Sequence, residues 1–121
     1  MNSEPEKDKI HQNCSTKMRS VMDALYALNG KWKLPILISL AFGAKRFKEI
    51  SKETIGITDR MLSKELKELE INQLVTRTIH HTFPPTVEYT ITDHGKSLAQ
   101  VINGLSDWGI LHRKKITGRE T

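Results

Sequence analysis

Thr58, Asp59, Arg60, Ser63, Lys64 and Lys67 bring hydroxyl, carboxylate, guanidinium and ammonium groups together at spacings of one, three and four residues. On a helix these spacings keep them off an apolar stripe and on the outer side. Such a side can exchange hydrogen bonds with base edges, and Arg60 and Lys64 can donate to guanine or to phosphate. A second basic group, Lys45, Arg46 and Lys48, stands where another helix should begin, so its side chains and the backbone N–H groups can both reach a phosphate. Arg77, His80, His81 and Thr82 fall on or near a hairpin that can meet a nucleic-acid backbone or minor groove. Taken singly, each residue also fits the solvated face of an ordinary amphipathic element.

Other chemistry finds little material. No Gly-rich phosphate loop, nucleophile elbow or carboxylate pair with an adjacent base is present, so an enzyme is not expected and no cofactor is implied. His80 and His81 adjoin, but consecutive strand residues face opposite sides, which argues against a shared metal. The single cysteine, Cys14, excludes an internal disulfide and leaves a lone thiol. It is expected just ahead of the first helix, where the helix dipole and Lys17, one turn away, favour a reactive thiolate. An inert thiol is the competing reading.

These groups need a frame. At 121 residues the chain has room for one domain with short tails. Lys plus Arg is 19 and Asp plus Glu 14, a formal charge of +5, which suits a polyanionic partner. Residues 45–80 hold eight basic and six acidic side chains, only +2, so any footprint must come from local placement. Leu34 to Ala44 is the longest uncharged stretch, too short for the roughly 20 residues of a bilayer span, and the start has no apolar leader; a cytoplasmic protein without membrane contact is expected.

Residues 1–13, polar and charged, read as a flexible arm, 14–112 as the folded domain, and 113–121, with four basic residues and one acid, as a loose basic tail. Met18, Val21, Met22, Leu25 and Leu28 recur at helical spacing before the stop at Asn29-Gly30. Trp32 to Phe42 is apolar on nearly all sides, a buried second helix with Pro35 tolerated in its first turn. A third helix fits Arg46 to Glu53. After the break at Ile55-Gly56-Ile57, a fourth runs from an N-cap at Thr58 to about Asn72, with Leu62, Leu66 and Leu69 facing inward. The period then changes to two in Val75–His80 and Val87–Thr92, a hairpin whose loop His81-Thr82-Phe83-Pro84-Pro85 should project. Thr92-Asp93 caps a long fifth helix with Leu98, Val101, Ile102, Leu105 and Trp108 in a stripe.

A turn between two helices, with a hairpin after the second, describes an α+β, mainly α, winged helix-turn-helix. Gly30-Lys31-Trp32-Lys33, Arg46-Phe47-Lys48-Glu49-Ile50, Gly56-Ile57-Thr58, Arg60-Met61-Leu62, Leu66-Lys67-Glu68-Leu69, Pro84-Pro85-Thr86-Val87-Glu88-Tyr89 and Thr92-Asp93-His94-Gly95, in that order, resemble the HxlR family of bacterial transcription regulators. The resemblance implies a homodimeric DNA-binding regulator related to the MarR-like winged helices. Some members of that family sense oxidants or electrophiles through a cysteine ahead of the first helix; there proline often follows, and here Ser15 does.

The expectation is therefore a sequence-specific regulator, a repressor, with Thr58–Asn72 in the major groove and Val75–Thr92 as the wing. Met18, Val21, Met22 and Leu25, with the stripe on the last helix, should form N- and C-terminal dimerisation surfaces, because the smaller domain already closes its core. Two-fold symmetry then calls for a palindromic operator. The alternative is a winged-helix module that docks a protein on the same face and binds no duplex; a small-molecule inducer is not specified by any residue cluster.

Overall fold

In a computed structural model of the chain, the backbone is described for residues 4–119 and the side chains from Gln12 onward. The elements in order are α1 (Glu4–Ala27), α2 (Lys33–Leu40), α3 (Phe47–Glu53), α4 (Asp59–Ile71), β1 (Val75–His80), β2 (Thr86–Ile91), α5 (Asp93–Lys96) and α6 (Ala99–Thr117). They fall into two compact units, one ending at Gly30 and one beginning at Lys31. Among the described residues no helix is long and apolar enough to cross a membrane.

The first unit is α1. Its helix begins at Glu4 and not near Cys14, so part of the segment read as an arm is helical. Alternating acids and lysines after Pro5 suit a helix as well as a free chain, because proline is tolerated in a first turn and straight-chain polar residues propagate helices. The expected stop holds: Asn29 donates its side-chain amide to the Tyr26 carbonyl at 3.0 Å, and Gly30 takes φ +81°.

In the second unit Ile36, Leu37 and Leu40 of α2, Ile50 of α3, Leu62, Leu66 and Leu69 of α4, with Leu74, Val75 and Ile91, make the core. Pro35 occupies the first turn of α2, where its missing N–H costs no helical bond. Phe42 and Ile38 are exposed, so α2 is buried on one side and not all round. Glu49 accepts from the Arg46 backbone N–H at 2.9 Å and starts α3. Gly56, at φ +94°, makes the turn into α4, whose N-cap Thr58 accepts from the Met61 N–H at 3.2 Å.

Strands β1 and β2 pair antiparallel with Val75 opposite Ile91 and His80 opposite Thr86. Lys45 adds a third, one-residue rung: its N–H donates to the Tyr89 carbonyl at 3.0 Å and its carbonyl accepts from the Tyr89 N–H at 2.8 Å. The loop carries a cis Phe83–Pro84 peptide, and Thr82 donates its hydroxyl to the Pro84 carbonyl at 2.7 Å.

The long fifth helix is in fact two. Thr92 caps α5 by accepting from the Gly95 N–H at 2.9 Å. Ser97 and Leu98 then donate to His94 and Gly95 three residues back, a tightened turn, before α6 resumes with Ile102 donating to Leu98. A β-carbon on Gly95 would run into the Leu74 carbonyl oxygen, so α5 and the start of the hairpin pass at a distance that only glycine fits. Helix α6 continues to Thr117, where Gly118 ends it at φ +71°; the basic tail from Arg113 is therefore largely helical. No residue of α6 is buried, and Gly104 and Gly109 lie in mid-helix with open space where a side chain would start.

Candidate nucleic-acid interface

The outward side of α4 presents Asp59, Arg60, Ser63, Lys64 and Lys67 to solvent, with Thr58 exposed at the cap. Leu62, Leu66 and Leu69 hold the opposite side in the core, so the orientation follows from burial of one stripe. Exposed Lys64 stands 3.7 Å from half-buried Glu68, a pair that a polyanion can displace. The Thr58 hydroxyl is engaged in capping.

Arg77 on β1 shares a hollow of about 260 Å³ with Ser63, Lys67 and Glu70 of α4 and with Tyr89, which brings the wing beside the helix. Arg46 and Lys48 at the start of α3 line a groove with Val87 of the wing. His81 is exposed in the loop, and His80 lies 2.6 Å from a Glu88 carboxylate oxygen across the hairpin.

Lys45 departs from expectation. Its ammonium donates to the Ser39 carbonyl at 2.6 Å, the Ser39 hydroxyl at 3.3 Å and a Glu53 carboxylate oxygen at 2.6 Å. It is a tether between the wing and the α3 end, not an outward cation. The hydrogen bond from Lys45, then that from Ser39, holds the Glu53 carboxyl below the ordinary carboxylate range.

Sequence reasoning missed Lys33 and Glu65. Lys33 is 1% exposed and Glu65 6%, and the Lys33 ammonium lies 3.2 Å from one Glu65 oxygen and 3.4 Å from a Glu68 oxygen. The signal was present: Glu65 falls with Leu62, Leu66 and Leu69 at i, i+3, i+4 and i+7, and Lys33 opens an otherwise apolar helix.

Cys14 is exposed, but it sits inside α1 instead of just ahead of it as expected. On the same helix Met18, Val21, Met22, Leu25 and Tyr26 are exposed. On α6, Val101, Leu105 and Trp108 are exposed, Trp108 stacks on His112 at 4.7 Å, and only Leu98, just before the helix, and Ile102 are half-buried. Among the described residues no cluster of three or more His, Cys, Asp or Glu side chains can hold a metal.

An outward polar helix on a small helical core, flanked by a two-stranded hairpin, defines the winged helix-turn-helix class. Within that class the chain belongs to the HxlR-like helix-turn-helix family, whose profile matches residues 27–117, and it is a transcriptional regulator of helix-turn-helix type. It is 36% identical over 99 residues to the HTH-type transcriptional regulator YtcD of Bacillus subtilis (strain 168), covering 82% of this chain and 79% of that one. It is 40% identical over 93 residues to an HTH-type transcriptional regulator of Methanothermobacter thermautotrophicus, covering 77% and 71%. Among solved structures, the redox regulator HypR in its reduced form superposes with a TM-score of 0.76 at 34% identity, covering 83% of this chain and 99% of that one. The winged fold and the regulator class expected from the residues are thereby established.

Proposed function

We propose that the protein is a homodimeric, sequence-specific DNA-binding repressor that acts in the cytoplasm on promoter DNA. The observation that carries this reading is the outward half of α4, Thr58 to Lys67, with Arg77 of the wing on its flank. A helix of this exposure fits the major groove, its first turns at the base edges, with Arg60 and Lys64 as the donors to guanine or phosphate. Arg46, Lys48, Arg77 and His81 contact backbone or minor groove on either side. Two copies join through the exposed apolar residues of α1 and α6, and their symmetry sets a palindromic operator with half-sites about one DNA turn apart.

Cys14 supplies the input. Exposure makes its thiol accessible, and the likeness to a redox regulator supports the role. With an azo oxidant such as diamide, two Cys14 thiols of two copies lose two protons and two electrons, the reagent becomes the hydrazine, and one S–S bond forms.

The test is a gel shift on duplex from the protein's own upstream region at about 50 and 200 mM salt, before and after diamide. Wild type should bind, weaken steeply with salt, and release DNA on oxidation, while Cys14→Ser should bind and stay bound. Binding indifferent to diamide removes the thiol role. No duplex binding at low salt replaces the repressor reading with a protein-docking module.

A further inference from the structure

The DNA-contacting face of α4 is held from behind by a charge inside the protein. The Lys33 ammonium, at the start of α2, donates to both Glu65 oxygens at 3.2 and 3.4 Å and to a Glu68 oxygen at 3.4 Å. Glu65 lies on the buried side among the leucines, while Glu68, three residues on, lies at its edge and also faces Lys64. Burial acts to raise the Glu68 carboxyl, but Lys33 and then Lys64 outweigh it, so it stays below the ordinary range and ionised.

Such a network is a poor means of stabilisation, because apolar residues of the same size commonly replace a buried ion pair without loss. Its distinguishing property is direction. A leucine stripe tolerates a small rotation of the helix, whereas one ammonium meets three oxygens on two turns only in a narrow range of rotation. A turn of about 20° moves a side-chain end about 6 Å from the axis by about 2 Å. Contacts read in a groove must be held to about 0.5 Å.

We propose that Lys33 is a positioning residue for DNA recognition: through Glu65 and Glu68 it fixes the rotation of α4 that presents Thr58, Arg60 and Ser63 to the groove. The proposal rests on the reading of α4 as the DNA-contacting helix. It is tested with the Lys33→Met, Glu65→Leu double variant of the full chain, and with Lys33→Leu, Glu65→Met as a second packing should the first fail to fold. Three readouts are taken: thermal melting, anisotropy titrations against the upstream duplex and an unrelated duplex of equal length, and residual dipolar couplings of α2 and α4 without DNA.

The expected result is unchanged or higher melting, a reoriented α4, and about tenfold loss on the upstream duplex with less than twofold change on the unrelated one. A folded variant with wild-type α4 orientation and the wild-type ratio between duplexes overturns the proposal. If wild type itself binds neither duplex, the repressor reading fails; the dipolar couplings then decide alone, and an unmoved α4 overturns the hold assigned to Lys33.

Discussion

Helices α4 and α6 carry apolar residues at the same helical spacing, yet the chain treats them in opposite ways. In α4, Leu62, Leu66 and Leu69 are enclosed where the helix packs on α2 and the base of the hairpin, and what remains outside is mostly polar and charged. In α6, Val101, Leu105 and Trp108 stay in water although their pattern is as regular. The difference lies in what each helix can reach. Helix α4 enters the core through a tight turn at Gly56, whereas α6, beginning after the tightened turn at Ser97 and Leu98, leans on the core only through Leu98 and Ile102. Periodicity thus reports that a face seeks cover, not which molecule covers it.

The sharpest way to break the comparison is to disrupt each stripe in turn. Leu66→Ala should cost about 2–5 kcal/mol in urea unfolding, a loss independent of protein concentration, because it opens a cavity in the chain's own core. Leu105→Asp with Trp108→Asp should leave the helical circular dichroism unchanged but weaken self-association about 100-fold or more in sedimentation equilibrium. Equal unfolding losses from both changes would mean that α6 serves the same core as α4.

On the polar side of α4 the effect should be smaller and confined to binding. Arg60→Ala should lower affinity for the upstream duplex about tenfold or somewhat more, as expected for one lost guanidinium contact, and shift stability by less than about 0.5 kcal/mol. An anisotropy titration beside a thermal melt separates the two. The smallest effect concerns the tether. Since the Glu53 carboxyl is held low, its pair with Lys45 stabilises the fold above the ordinary carboxylate range and loses that contribution as pH falls through the folded value. Lys45→Met should flatten the decline in stability between about pH 5 and pH 3, because its small loss of stability is present at neutrality and vanishes in acid, where the pair no longer contributes in wild type either.

The elements that the residues disclose are those whose residue types follow one period along their length. Leu62, Leu66 and Leu69 mark α4 because nothing interrupts the 3.6-residue period, and Val87, Tyr89 and Ile91 mark β2 by a period of two, although of these only Ile91 is buried in the fold. Thr58 and Thr92 announce their helices by local capping chemistry, which needs no knowledge of the rest of the fold.

What stays hidden depends on distant partners. Lys33 reads as a surface lysine until Glu65, 32 residues away, is seen to face it. Lys45 reads as a free cation until Glu53 and the Ser39 carbonyl are seen to accept hydrogen bonds from its ammonium. The split between α5 and α6 lies in the tightened turn at Ser97 and Leu98, and the close approach of Gly95 to Leu74 beside it is a contact across the hairpin with no local signature. At the candidate site the helix, its outward residues and the wing were legible; of the internal network that aims the helix only one end showed, in the place of Glu65 on the leucine stripe.

The bare surface of α6 has a consequence for its two internal glycines. In mid-helix a glycine costs roughly 0.5–1 kcal/mol relative to alanine, and neither Gly104 nor Gly109 meets any atom within 4 Å that would forbid a methyl group. An isolated chain should therefore melt higher with Gly104→Ala. Should the assembled protein instead melt lower, the space beside Gly104 belongs to a second backbone, packed too closely for one added carbon.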